Sequence, residues 1–230
     1  MASQIRIISS MATRQLLGDL VAQFRSASAH EVSIESVGGV DAAKRVQAGE
    51  PFDAVVLASD AIERLTQAGR IVLGSRVDLV KSGVSIAVHA GAPRPDIGSE
   101  EAVKRAVLAA RSLGYSTGPS GVQLTKLFER WGIADAIAAR TVQAPPGVPV
   151  GSLVAEGKVE LGFQQLSELM HLPGIEVLGP LPSAIQITTT FSAGLSVTST
   201  QPEAVHQLLT FMASPTVAEA KRRNGMEPAN

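Results

Sequence analysis

The chain of 230 residues contains no cysteine, which removes disulfides, thiol nucleophiles and thiolate metal centres from consideration. Aromatic residues make up only 3%, with one tryptophan and one tyrosine, too few for platforms on which nucleic-acid bases stack. An excess of either charge is missing too. The formal net charge is −1, and the densest cationic run, Lys221-Arg222-Arg223, reads as a solvated helix end. Nucleic acid is therefore not an expected partner. No apolar run reaches the roughly 18 residues that a membrane span needs, so no span is expected. The opening MASQIRIISS carries Arg6 inside a short apolar stretch and lacks the extended apolar segment of a secretory leader. As written, the expected location is cytoplasmic, and periplasmic if a leader has been trimmed.

What is present is an ordinary globular composition, 45% hydrophobic and 18% charged. Short apolar strands alternate with amphipathic helices. IRII at 5–8 reads as a buried strand, and 11–27 as a helix with Leu16, Leu17, Leu20 and Phe24 at helical spacing. Strands follow at 32–37 and 52–59, with helices closed by Gly49 and Gly69. Asp60 with Glu63, Ser120 with Gln123 and Thr200 with Glu203 have the spacing of capping boxes, and Ser99 precedes EEAVKRAVLAA as a cap. Strands are further expected at 84–91, 112–116, 159–165, 175–179 and 188–197, and a last helix at 215–223. Strict alternation implies an α/β fold with a parallel sheet covered on both faces.

Two long strands, at 84–89 and 188–197, flank the central block. A chain that leaves one lobe on one strand and returns on another gives two α/β lobes: 1–83 with 192–230, and 84–191. Ligands of such folds bind at the carboxyl ends of strands. Several small polar groups fall there. Ser9, Ser10 and Met11 end the first strand, and read equally as caps or as ligand contacts. Gly38-Gly39 is either a tight turn or an anion-binding concavity of backbone N–H groups. Ser59 follows the third strand.

Tyr115 and Ser116 precede Gly118-Pro119-Ser120-Gly121, which opens a helix and favours an anion near Ser120 and Gly121. Gln164 and Gln165 end another strand, and alternation points only one of them to a ligand. Arg14, one turn beyond Ser10, reads foremost as a solvated surface arginine, although its guanidinium suits an anion. The histidines and acids have no metal-ligand spacing, and no Gly-x-Ser-x-Gly, GxGxxG or P-loop pattern occurs. No metal and no cofactor are expected.

IISSM, AGEPFDAVVLASDAIERL, AVHAGAPRPDIGSEEAVKRAVLAARSLGYS, VELGFQQLSEL, PGIEVLGPLP, TTTFSAGLSV and SPTVAEAKRRNGMEP together carry a family likeness. The chain resembles type 2 solute-binding proteins of ABC transporters, in the molybdate-binding-like branch, over essentially its whole length. The resemblance implies a two-lobed type 2 periplasmic-binding-protein-like fold with a double-strand hinge. It also implies a small anionic ligand and, if the protein is exported, an ABC transporter permease as partner. Relatives hold an oxyanion with uncharged donors: serines after the first two strands, helix-start amides and a tyrosine from the second lobe. Ser9 and Ser10 match the first serine site. The second reads Val37-Gly38-Gly39-Val40, without a hydroxyl, and the tyrosine position reads Gly162-Phe163-Gln164-Gln165. Both departures favour an organic carboxylate over a tetrahedral oxyanion.

The same branch includes an aconitate isomerase type. Two readings therefore stand: a binding protein for a small anion, and an isomerase that shifts a proton on an unsaturated carboxylate such as aconitate. For the second, Tyr115, His89 and Glu168 are the candidate bases.

Overall fold

A computed structural model describes residues 4–229; the first three residues of the opening segment lie outside it. The chain divides into two compact units, one running to Ser82 and resuming at Thr189, the other comprising Gly83–Thr188. The first begins with β1 (Gln4–Ser10), a 3-10 turn (Met11–Thr13) and α1 (Arg14–Ala27). Then come β2 (Glu31–Val37), α2 (Gly39–Gln47), β3 (Ala54–Ala58), α3 (Ser59–Gln67) and β4 (Val77–His89). β1 pairs in parallel with β2 on one side and β3 on the other.

Strand alternation sends Ile7, Ala54 and Val56 to a core beneath α1. Ile8, Val55 and Leu57 go to a second core, with Val46 of α2 and Ile62 and Leu65 of α3. Burying an apolar row on each face explains why β3 reads as a continuous hydrophobic run. Gly49 and Gly69, at φ +86° and +68°, end α2 and α3 in the left-handed conformation that glycine takes without strain.

The second unit carries α4 (Glu100–Ala109), β5 (Leu113–Tyr115), α5 (Pro119–Arg130), α6 (Ala134–Ile137) and β6 (Thr141–Gln143). It continues with α7 (Val150–Ala155), β7 (Leu161–Gln165), α8 (Leu166–Leu169) and β8 (Ile175–Pro180). β5 lies between β6 and β7, parallel to both, and the last part of β4 runs antiparallel to β7 and β8. Its main core joins Val84 and Ile86 of β4 to Leu124, Leu127 and Phe128 of α5 and Leu161 and Phe163 of β7.

The chain returns through β9 (Thr188–Leu195), α9 (Pro202–Ala213), α10 (Ala218–Arg223) and β10 (Glu227–Pro228). β9 runs antiparallel to β3, from Ala58 opposite Phe191 to Ala54 opposite Leu195. The first part of β4 pairs with β10, and each unit keeps its own hydrophobic core.

Asp53 fastens the returning segment. Its Oδ2 accepts from the Arg6 amide at 2.9 Å and from Gln201 Nε2 at 3.2 Å, and its Oδ1 accepts from Ser199 Oγ at 2.7 Å. Its carbonyl accepts from the Ser196 amide at 2.9 Å. One nearly buried side chain thus ties the start of β1, the start of β3 and the exit of β9.

Several caps differ from the sequence expectation. Ser10 and Ser99 do cap, accepting from the amides of Ala12 and Ala102 at 3.1 Å each. Ser120 does not. Pro119 fits the first helical turn, where its fixed φ and missing N–H carry no penalty, so Gly118 is the N-cap and Ser120 lies buried inside α5. Pro202 likewise places the cap of α9 at Gln201 rather than Thr200. α3 starts at Ser59, and Asp60 pairs with Arg64 at 2.7 Å instead of capping.

β4 starts seven residues before the expected strand, because Lys81, Ser82 and Gly83 interrupt its apolar run without interrupting its pairing. α6 and β6 were absent from the sequence expectation; each has only three or four residues, and β6 is largely exposed.

Gly121 is fixed by close approach. A Cβ there would sit 1.9 Å from the Ser116 carbonyl oxygen and 2.9 Å from Tyr115 Cδ2. Gly121→Ala should therefore force α5 away from β5 and destabilise the second unit by about 2–4 kcal/mol. Asp53→Ala, which strands three donors, should lower stability by about 2–4 kcal/mol. Urea denaturation checks both; a midpoint equal to the parent's for either would refute the corresponding role.

Candidate anion-binding site

In the first unit, β1, β2 and β3 run parallel, so their carboxyl ends share one sheet edge. Each end leads into a helical turn: Ser10 into the 3-10 turn and α1, Gly38 into α2, Ala58 into α3. Helix starts leave N–H groups without intrahelical acceptors and carry partial positive charge. α2 and α3 have no side-chain cap. A Cβ on Gly39 would lie 3.7 Å from Ser10 Cβ, so the Gly38-Gly39 turn sits directly against Ser10. Met11 and Ser59 are half-buried at the same edge.

The expectation that the second strand end offers no hydroxyl is corrected here. Register places Ser36 opposite Ser9, and their Oγ atoms are 2.8 Å apart. Ser36 lies inside β2, one residue before the Val-Gly-Gly segment in which a hydroxyl was sought. Ser9 is fully buried, and Ser36 is half-buried. Two hydroxyls sharing one hydrogen bond leave one proton to donate elsewhere. Ser10 keeps a proton as well, because its Oγ acts as an acceptor in the cap. Capping and anion binding are thus compatible at Ser10.

In the second unit, β5, β6 and β7 are parallel and end at one edge with Tyr115, Gln143 and Gln165. Leu161 and Phe163 face the core beneath α5, whereas a Cβ on Gly162 would strike Val154 and Val150 of α7. Alternation then assigns the two glutamines. Gln164 points to α7, and both ends of its amide are engaged: Oε1 accepts from the Val150 amide and Nε2 donates to Glu168 Oε1, both at 2.8 Å. Gln165 points to the α5 face, which Tyr115 also packs against. It is 4% exposed, and its side chain makes no hydrogen bond among the described residues. Ser116 and Ser120 face each other with Oγ atoms 3.4 Å apart, beside Gly121 at the start of α5.

The three candidate bases are not brought together. His89 is exposed, with Nδ1 2.8 Å from the Ala90 carbonyl. β4 runs antiparallel to β7, so His89 lies at the sheet edge opposite Tyr115 and Gln165. Glu168 stands with Gln164 on the α7 side. Burial pushes its carboxyl up from the ordinary 4.5 to about 7, against the lowering effect of the Gln164 amide. A surface groove of about 260 Å³ lies farther along α5, lined by Gln123, Lys126, Arg130 and Gln186 among others. Arg130 there is already paired with Glu100 at 2.6 Å. Among the described residues, no three His, Asp or Glu side chains gather as a metal site, and no helix is long and apolar enough to cross a membrane.

An aconitate isomerase from a Pseudomonas species is 39% identical over 185 residues, covering 80% of this chain and 70% of that protein. The periplasmic molybdate-binding protein of Azotobacter vinelandii superposes with a TM-score of 0.80 at 20% identity, covering 96% of this chain and 98% of that one. The sulfate-binding protein of Mycobacterium tuberculosis H37Rv gives a TM-score of 0.80 at 15% identity, over 99% and 88%. The fold is therefore that of the two-lobed periplasmic binding proteins. The profile described as bacterial extracellular solute-binding protein matches residues 5–227, and the chain belongs to that family.

Proposed function

We propose that this protein captures a small organic carboxylate through the uncharged donors at the strand-end edge of its first unit. The observation that carries the reading is the Ser9–Ser36 hydroxyl pair flanked by the uncapped starts of α2 and α3. Backbone amides and hydroxyls aimed at one place favour an anion without a buried countercharge. Two features support a carboxylate over an inorganic oxyanion. Val40, in the first turn of α2 at this edge, is 45% exposed, which suits a ligand with a hydrocarbon frame. The aconitate isomerase relative acts on such a molecule. Family membership supports work outside the cytoplasm and, for a transport role, an ABC permease as partner.

A second reading is favoured by that relative together with Glu168: isomerisation of an unsaturated carboxylate. A base removes a proton from an allylic carbon, the double bond shifts by one position, and a proton returns at the far end of the three-carbon unit. The balance needs no redox partner. A carboxyl that titrates near neutrality suits such proton traffic.

Calorimetric titration with citrate, cis- and trans-aconitate, molybdate and sulfate in one buffer tests the first reading. At least one tricarboxylate should bind more tightly than molybdate, and Ser36→Ala should weaken it by about 0.5–1.5 kcal/mol. Tight molybdate binding without carboxylate binding would refute it. Proton NMR of aconitate in D2O tests the second, with deuterium uptake and interconversion as the positive result and an unchanged spectrum as the negative one.

The raised carboxyl of Glu168 has a consequence of its own. Above 4.5 the unfolded chain ionises first while the native one still holds its proton, so this group lowers stability as pH rises from 4.5 to about 7. Glu168→Gln should remove that slope. By urea denaturation the variant should be the more stable protein at pH 8, by at most ~3 kcal/mol, with the difference closing towards pH 4.5. Parallel stability curves would show that Glu168 is not raised.

A further inference from the structure

We infer that Arg14 is the cation that selects a ligand with a second carboxylate, an inference that rests on the carboxylate reading above. Its placement follows from α1 and β2. Because β1 and β2 are parallel, α1 runs back along them, antiparallel to β2. Near the far end of α1, Arg25 donates to the Val32 carbonyl at 2.6 Å and pairs with Glu31 at 3.2 Å, at the amino end of β2.

Arg14 precedes Arg25 by eleven positions, about three helical turns, so both lie on nearly the same flank of α1 and about 16 Å apart. The strand from Val32 to Val37 spans about 16 Å as well. The start of α1, with Arg14, therefore lies towards the carboxyl end of β2, the end that carries Ser36 and the Gly38-Gly39 turn. The buried stripe of α1 (Leu16, Leu17, Leu20, Val21, Phe24) leaves it at the margin, exposed.

Two further facts set Arg14 apart from an ordinary surface arginine. Its side chain has no hydrogen bond or ion pair among the described residues, whereas Arg25 on the same flank has both. It also occupies the first position of α1, with no acid in that turn. A cation early in a helix is unfavourable, and a residue that breaks a local rule without a structural gain is a candidate for a functional position. A polycarboxylate supplies the missing gain. One carboxylate sits on the hydroxyls and helix-start amides, and the other meets the planar guanidinium with two hydrogen bonds. Asp41, in the first turn of α2, adds negative charge near this edge, which makes a cation there more necessary for a ligand with several charges.

The test titrates the parent, Arg14→Gln, Arg14→Lys and Arg25→Gln with citrate, trans-aconitate and molybdate by calorimetry at two salt concentrations. Arg14→Gln should weaken tricarboxylate binding about 10- to 100-fold, and more at low salt than at high salt, while leaving molybdate binding within about twofold. Arg14→Lys should recover part of the loss. Arg25→Gln, which removes the same charge, should leave tricarboxylate affinity within about twofold. If the parent binds tricarboxylates and Arg14→Gln binds them equally well, the inference falls and the carboxylate reading stands. Equal losses in Arg14→Gln and Arg25→Gln would point to net charge and also overturn it. A parent that binds molybdate and no carboxylate overturns both.

Discussion

Ser9 sits opposite Ser36 because β1 and β2 pair in parallel, residue for residue, from Gln4 with Glu31 to Ser10 with Val37. That register decides much else in the first unit. It sets three strand ends at one edge, each opening into a helical turn, and it sends alternate residues to two separate cores. A slip of one residue would exchange the cores and part the two hydroxyls. Asp53 protects the same register from below: it holds the amide of Arg6, at the start of β1, against the segment that follows β9. Donors at one end of the sheet depend on an acceptor near the other.

The second unit shows how strand alternation divides labour between adjacent identical residues. Gln164 is structural, with both ends of its amide engaged, and it joins the start of α7 to Glu168. Gln165, one position on, is equally buried and unengaged. Glu168, whose carboxyl burial raises, stands on the opposite face of β7 from Gln165.

Most of the layered architecture was legible in the sequence because it rests on local signals. Apolar runs marked β1 and β3, and Gly49 and Gly69 closed their helices as read. Ser99 capped as its spacing indicated. The misreadings have physical causes. Pro119 and Pro202 each moved a helix start by their fitness for the first turn, so Ser120 and Thr200 lost the capping role. β6 is three residues long and exposed, and such a strand leaves no periodic trace. In the candidate site, Ser9, Ser10 and Gly38-Gly39 were visible as strand-end residues. Ser36 was missed because its role comes from register with a neighbouring strand, which no local pattern encodes. The division between Gln164 and Gln165 likewise depended on the Val150 amide, fourteen residues away.

The order in which the parts exist on a growing chain follows from the topology. β9 lies between β3 and β4 in the strand order, yet it is made after the entire second unit. Emerging from the ribosome, residues of the first unit up to Ser82 have a gap in their sheet and lack α9 and α10, which supply Val205, Leu208, Met212 and Ala220 to the core beneath α1. The second unit, by contrast, is one uninterrupted stretch. Domains fold as units during synthesis, and pairings distant in sequence are slow to form. The later-made unit therefore completes first, and the early segment, with exposed strand edges at β3 and β4, must wait for the chain's last forty residues or so.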